Sequence, residues 1–134
     1  MKLNVYITTY APSASGEMEV ETEKVLMQST TYNESGKEIC RETFDENINA
    51  FGKEVYEYHE NGQLAVEELF DHDQNLVQRI EYQYNDLGKV FTITEQYEDD
   101  DEKYITKHKY DGELLVQIDH YYDTDFDFTE KKYQ

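Results

Sequence analysis

Hydrophobic and polar residues alternate along most of the chain. Because successive side chains of a β-strand point to opposite faces, this alternation predicts half-buried antiparallel strands. Three runs show it most clearly, each with its apolar residues expected on one face: Leu64, Val66 and Phe70; Leu76, Ile80, Tyr82 and Tyr84; Leu114, Val116, Ile118 and Tyr122. The helical period is convincing nowhere. The segment Asn47–Phe51 is expected to hold either one helical turn or a longer loop.

An aromatic residue closes each run. These anchors are Tyr32, Phe44, Tyr58, Phe70, Tyr84, Tyr97, Tyr110 and Tyr122. Every second anchor follows after 25 to 27 residues, which indicates a repeated unit of two strands. Turn-forming residues follow each anchor, and Asn61-Gly62 and Asp111-Gly112 are the strongest hairpin signals.

The predicted fold class is therefore all-β, an antiparallel meander of about ten strands. The first pair is expected near Lys2–Tyr10 and Glu17–Tyr32, in a single repeat domain over residues 1–134 with its repeat region at 32–122. One alternating face supplies too few apolar residues for a second layer. The sheet is expected to curl, to form an open barrel, or to offer part of its aromatic face to another molecule.

The phrases YHENGQL at Tyr58–Leu64, YNDLGKV at Tyr84–Val90 and YDGEL at Tyr110–Leu114 share one pattern. It resembles YD-repeat (Rhs-type) proteins and MORN-like repeat antitoxins over most of the chain, Tyr32 to Tyr122. The pattern fails in two places. The segment after Tyr97 contains no glycine, and the segment after Phe70 has Asn75 instead of the glycine. The resemblance implies an immunity or antitoxin protein of the kind encoded beside bacterial toxins.

The charge narrows the class of partner. The chain of 134 residues has 31 acidic and 12 basic residues, a net charge of -19. Nucleic acid and anionic membranes are excluded as partners, because both are bound through Lys and Arg. A basic protein partner and cations are favoured, and the alternative is that the acidity serves solubility. Of these residues, 22 acidic and eight basic ones lie in 51–134, so that part is expected to face the partner.

Catalytic and metal-binding patterns are missing from the sequence. The four histidines have no metal-ligand spacing, although His108 and His120 are expected to be neighbours across a hairpin. Segments Asp71–Asn75 and Asp123–Asp127 lack the Gly and Glu of a calcium loop. The first is predicted to be a turn, and Asp123, Asp125 and Asp127 are predicted to form one face of a terminal strand. No enzyme activity, cofactor or metal is expected.

The only cysteine, Cys40, is expected to be a buried structural thiol. The first residues are too polar for a secretion signal, and no apolar run has the length of a membrane span. These observations predict a cytoplasmic location.

The run YEDDDEKY places five consecutive acidic residues between two tyrosines. One interpretation is a solvated loop. The other is an acidic prong with aromatic anchors that meets a basic groove. The predicted partner-binding residues are Tyr97, Glu98, Asp99, Asp100, Asp101, Glu102, Tyr104, Asp123 and Asp125.

The preferred function is that of an immunity or antitoxin protein that neutralises a basic toxin domain by occluding its active site. The alternative is a structural or adaptor β-repeat module, with carbohydrate binding through its tyrosines as one option. The oligomeric state is left open.

Overall fold

Ten β-strands make up the fold in a computed structural model that describes residues 1–45 and 50–132. For residues 9–12, 20–24, 50 and 51 it describes the backbone only. The strands are β1 (Lys2–Pro12), β2 (Met18–Tyr32), β3 (Glu38–Phe44), β4 (Ala50–Tyr58), β5 (Leu64–Phe70), β6 (Leu76–Tyr84), β7 (Val90–Tyr97), β8 (Lys103–Asp111), β9 (Leu114–Tyr122) and β10 (Asp125–Lys131). The strands follow one another in chain order within one sheet, and the registers that the structure describes are antiparallel. The predicted all-β meander of ten strands is confirmed.

The aromatic anchors mark the strand ends. Seven of the eight predicted anchors are the last residue of a strand, and Tyr110 is the last but one of β8. Both strands of the predicted N-terminal pair are also present, as β1 and β2. The repeat of 25 to 27 residues therefore corresponds to one hairpin plus the turn that leads to the next.

One five-residue turn recurs along the chain. The first residue's N–H donates to the carbonyl of the fifth, and the fourth residue's N–H donates to the carbonyl of the first. The fourth residue has positive φ, which favours glycine. The turns are Ser13–Glu17, Asn33–Lys37, His59–Gln63, Asp71–Asn75 and Asn85–Lys89. The predicted turn at Asp71–Asn75 is confirmed, although Gln74 takes the glycine position with φ of 66°.

The hairpin predicted at Asp111-Gly112 is present between β8 and β9, but the predicted strand faces near it need correction. The loop between β8 and β9 is Gly112-Glu113, so Asp111 belongs to the strand. A bulge lies at Val116, because Tyr110 pairs with Leu115 and Lys109 pairs with Gln117. The extra residue puts Leu114 on the opposite face from Ile118.

Asp123 does not share a strand face with Asp125 and Asp127. It lies in the turn before β10, with φ of 53°. In addition, the register between β10 and β9 shifts between Phe126 and Phe128, where Asp127 is the extra residue. A strictly alternating terminal strand is therefore wrong for these three residues.

The predicted helical turn falls partly on residues 47–49, which lie outside the described residues. Ala50 and Phe51 begin β4, so the prediction is wrong for these two. No helix is present in residues 1–45 and 50–132, and hence none there is long and apolar enough to cross a membrane.

The chain divides into two compact units. Unit 1 comprises Met1–Val55 with Phe70–Asn75, and unit 2 comprises Tyr56–Leu69 with Leu76–Gln134. Within the described part of both units no hydrophobic side chain is buried. The buried residues are polar: Ser29, Thr30, Thr92 and Asp119. The sequence was expected to supply too few apolar residues for a second layer. In agreement with this, the described residues form a sheet without a hydrophobic core.

Two tyrosine anchors of unit 2 each bond to the first residue of the preceding strand, which is their neighbour in the sheet. The Tyr84 hydroxyl, at the end of β6, donates to the Leu64 carbonyl at 2.8 Å. The Tyr110 hydroxyl, at the end of β8, donates to the Val90 carbonyl at 2.7 Å. The acceptor lies 20 residues before the tyrosine in both cases. The same bond is therefore made one repeat later, which gives the 26-residue spacing of these tyrosines a structural reason.

Asp119 is the one buried acidic residue among those described, with 5% of its surface exposed. Its side chain accepts hydrogen bonds from Lys109, Gln117 and Thr129, at 2.8, 2.7 and 2.6 Å. These partners lie in β8, β9 and β10, so one carboxylate joins three strands. The bond from the Lys109 ammonium contributes most to lowering the Asp119 pKa to about 2.

We expect Asp119→Asn to lower the melting temperature at neutral pH by roughly 5 °C, because three donors lose a charged acceptor. A carboxyl with a lowered folded-state pKa stabilises above its unfolded value near 3.9, and this contribution is lost as pH falls towards 2. Thermal unfolding between pH 7 and pH 2 measures both effects. The variant and the native chain should converge at the acid end. Exposed Glu113→Gln is the control, and equal effects of the two substitutions would contradict this role of Asp119.

Candidate partner-binding site

The acidic run lies in the turn between β7 and β8, in unit 2. Its backbone is ordered by hydrogen bonds at both sides: the Glu98 N–H donates to the Val77 carbonyl at 3.0 Å, and the Asp100 N–H donates to the Tyr97 carbonyl at 3.2 Å. The Asp100 side chain accepts from the Glu102 N–H at 3.0 Å. The turn therefore has a defined conformation although its acidic side chains are largely exposed.

The turn between β9 and β10 lies beside it. The Tyr122 hydroxyl donates to the Asp100 carboxylate at 2.7 Å, and the Asp123 N–H donates to the Lys103 carbonyl at 2.6 Å. The bond from Tyr122 is the main cause that lowers the Asp100 pKa, and the same bond raises the Tyr122 pKa to about 12. We call Glu98–Glu102 together with Asp123 and Asp125 the acidic end.

Aromatic residues continue from the acidic end along one face of the sheet. Residues that pair directly across antiparallel strands point to the same face. Tyr122 pairs with Tyr104 and with Asp125, and Tyr104 pairs with Glu95, whose carboxylate accepts from the Tyr97 hydroxyl. His120 precedes Tyr122 by two residues, shares a hydrogen bond with Tyr104 and stacks on Phe128 with ring centroids 4.2 Å apart. We call this surface the aromatic face; it carries Tyr97, Tyr104, His120, Tyr122 and Phe128.

The lysines of β8 point the other way. Lys103, Lys107 and Lys109 alternate with Tyr104, Thr106 and His108 in this strand. The Lys107 ammonium lies 4.6 Å from the centre of the Tyr121 ring, and Lys109 contacts Asp119. Because strand side chains alternate, these lysines belong to the opposite face. The aromatic face is thus bordered by carboxylates while the basic residues of the same strand lie behind it.

The structure brings all nine predicted partner-binding residues to one end of unit 2. Their exposure and contacts nevertheless differ from one another. Tyr104 is half-buried and hydrogen-bonded to His120, so it supports the surface more than it projects from it. Tyr97 and Tyr122 are the more exposed aromatics, at 46% and 45%. The sequence interpretation did not include Tyr122 and Phe128, which lie on the same face. The pairing of Tyr122 with Tyr104 across the β8–β9 hairpin was a signal that could have found the first.

Among the described residues, no group of three His, Cys, Asp or Glu side chains could hold a metal ion. His108 pairs with Ile118 and His120 pairs with Thr106, so the two histidines lie diagonally across the β8–β9 hairpin as neighbours. Burial is the main cause that lowers the His108 pKa, followed by the charge of His120. Cys40 is half-buried rather than buried, and desolvation raises the pKa of its thiol.

An open cleft of about 810 Å³ lies at the opposite ends of the strands of unit 2. It runs between the β4–β5 and β6–β7 turns. Two bonds join its walls: the Gln63 amide donates to the Gly88 carbonyl at 2.9 Å, and the His59 ring lies 3.0 Å from the Tyr82 carbonyl. Its lining is rich in amides and rings: His59, Asn61, Gln63, Gln83, Tyr84, Asn85 and Phe91, with Glu60, Asp86 and Gly88.

Comparison with known proteins finds likeness in fold and none in sequence. No family model and no curated protein matches the sequence. The fold matches part of a chain in the crystal structure of TcdB2-TccC3-Cdc42, with a TM-score of 0.50 and 16% sequence identity. The match covers 94% of this chain and 9% of that one, so this chain spans about a tenth of its neighbour's length. At this identity the likeness shows the fold alone.

The bond between Tyr122 and Asp100 should hold the two turns of the acidic end together. We expect Tyr122→Phe to speed amide hydrogen exchange at Glu102 and Asp123 by roughly threefold to tenfold, because opening of the two turns no longer has to break this hydrogen bond. Exchange measured residue by residue by NMR tests this. Tyr97→Phe removes a hydroxyl bonded within β7 and is the control. Unchanged exchange in the Tyr122 variant would show that the turns are ordered without this bond.

Proposed function

We propose that this chain is an immunity or antitoxin protein that binds a basic bacterial toxin domain and occludes its active site. The observation that carries the proposal is the acidic end, where six carboxylates of two adjacent turns and that of Asp125, the first residue of β10, border the aromatic face. The fold likeness to a component of a toxin complex adds coarse support for a toxin-associated β module.

Electrostatics would supply the first step of binding. With a net charge of -19, the chain attracts a basic surface over about a Debye length, or ~10 Å at 0.1 M salt. The separation of carboxylates and lysines onto different sides of β8 would orient the approach. A basic cleft is therefore drawn to the aromatic face in preference to the face that carries Lys103, Lys107 and Lys109.

Aromatic contacts would then hold the complex. Tyr97, Tyr122 and Phe128 are exposed large side chains on one face, and interfaces draw most of their energy from a few such anchors. The hydrogen bonds of Tyr97 and Tyr122 to carboxylates fix the side chains before binding, which lowers the entropy cost of ordering them. Inhibition follows from coverage of the partner's cleft and needs no catalysis, cofactor or metal. The same proposal places the protein in the cytoplasm, with neither nucleic acid nor a membrane as partner.

A charge-neutralising variant tests the steering. Asp100 and Glu102 are left unchanged, because both interact with Tyr122. We expect the triple variant Glu98→Gln, Asp99→Asn, Asp101→Asn to slow association with the toxin encoded beside this chain's gene by roughly fivefold at low salt, with little change in dissociation. Surface-based kinetics at two salt concentrations measures this, and high salt should reduce the difference.

The matched control makes the same charge change at the other ends of the strands: Glu60→Gln, Asp86→Asn, Glu113→Gln. It should slow association less. Equal effects of the two triple variants would mean that only net charge matters and that the acidic end is not the contact. Association that is indifferent to salt and to both variants would refute the proposal.

The cleft between the β4–β5 and β6–β7 turns favours a second candidate function, an adaptor that binds carbohydrate. Amide side chains and an exposed ring suit hydroxyl groups and the apolar face of a sugar. Under this alternative, NMR titration with neutral oligosaccharides shifts the amide signals of Asn61, Gln63 and Gly88. Phe91→Ala should abolish the shifts, whereas Phe126→Ala, another exposed ring, should retain them. Absence of any shift in the native chain would eliminate the candidate.

A further inference from the structure

We propose that the β1 edge is a homodimer interface, in which β1 pairs antiparallel with β1 of a second copy of this chain. β1 has one neighbour in the strand order of the described residues, namely β2. An edge strand offers a row of backbone donors and acceptors to another strand. The inference concerns unit 1 and is independent of the proposed function, which rests on unit 2.

The ladder between β1 and β2 shows which backbone groups face outward. Met1 and Tyr32 exchange hydrogen bonds, from the Tyr32 N–H to the Met1 carbonyl at 2.7 Å and from the Met1 amine to the Tyr32 carbonyl at 3.1 Å. Such pairs alternate along an antiparallel ladder with pairs that exchange none. The register runs one to one from Lys2 to Val5, so Leu3 points its backbone groups to β2 while Asn4 points them outward.

The apolar residues of β1 are arranged symmetrically about Asn4. Met1, Leu3, Val5 and Ile7 share one face, because the extra residues at the register shifts belong to β2. All four are exposed, Leu3 at 54% and Val5 at 44%. If two copies pair with Asn4 opposite Asn4, then Leu3 meets Val5 and Met1 meets Ile7 of the other copy. Leu3 and Val5 would form a pair without backbone hydrogen bonds, in which side chains approach most closely.

Charge identifies the occupant as a second copy. Residues 1–16 contain Lys2 and no acidic residue, although the whole chain has a net charge of -19. Two copies therefore repel each other least where these segments meet. A basic partner finds no carboxylate here. Pairing with β10 of another copy is disfavoured, because that edge carries Asp125, Asp127 and Glu130, charges of the kind that guard edge strands against pairing.

Asn4→Pro tests the interface at its centre. The substitution removes the outward N–H that would bond to the other copy, and proline is tolerated on an edge strand where the N–H faces solvent. We expect the native chain to sediment as a dimer of twice 16.0 kDa that dissociates on dilution. Asn4→Pro should raise the dissociation constant roughly tenfold or more, since two hydrogen bonds are lost across the dyad. Asn4→Thr, which keeps the N–H, should remain dimeric.

Circular dichroism confirms that each variant is folded. If Asn4→Pro does not fold, Val5→Lys decides: it leaves the backbone intact, places a charge against Leu3 of the other copy and should dissociate the dimer. Added salt should strengthen the native dimer, because it screens repulsion between two acidic chains. The proposal is overturned by a native chain that is monomeric at every concentration or that assembles beyond a dimer. It is equally overturned by a folded Asn4→Pro or Val5→Lys variant that dimerises like the native chain.

Discussion

The ten strands form one hydrogen-bonded sheet, and no hydrophobic side chain is buried among the described residues. The stability of the fold therefore depends mainly on contacts between strands. The backbone ladders are one such contact. The tyrosine hydroxyls are another, since Tyr84 and Tyr110 each donate to a carbonyl at the start of the neighbouring strand. Polar groups add a third: Arg79 in β6 binds Glu68 in β5, and Asp119 joins three strands. Tyrosine suits this sheet because its ring covers apolar surface while its hydroxyl finds a partner.

Local rules explain why the strands and most turns were predictable. A strand end needs an anchor and a turn needs a residue that tolerates positive φ, and both requirements can be read within five residues. The errors arise where one extra residue alters the count. The bulge at Val116 reverses the face of Leu114, and the bulge at Asp127 interrupts β10. Alternation assumes an unbroken strand, and a bulge has no composition signal of its own in this chain.

The candidate site was predictable in composition but not in geometry. Five consecutive carboxylates are visible in the sequence, and so is Tyr97 beside them. The bond from Tyr122 to Asp100 depends on the register of β8 with β9, which passes through a two-residue loop and a bulge. The separation of lysines from tyrosines in β8 was readable as an alternation. The sequence could not show that the acidic turns border the face of β8 that carries Tyr104, because this depends on the pairing of β8 with β9.

This separation also bears on whether the acidity serves solubility alone. Solubility needs a large net charge but no particular distribution of it. In β8 the basic residues are confined to one face, and the carboxylates of the adjacent turns border the other. The β1 edge shows the complementary arrangement, a segment without acidic residues in an acidic chain. Under the two proposals, salt would act with opposite sign at the two surfaces: it would weaken attraction between the acidic end and a basic partner, and it would relieve repulsion between two copies. A chain whose charge served solubility alone would have no reason to respond in both ways.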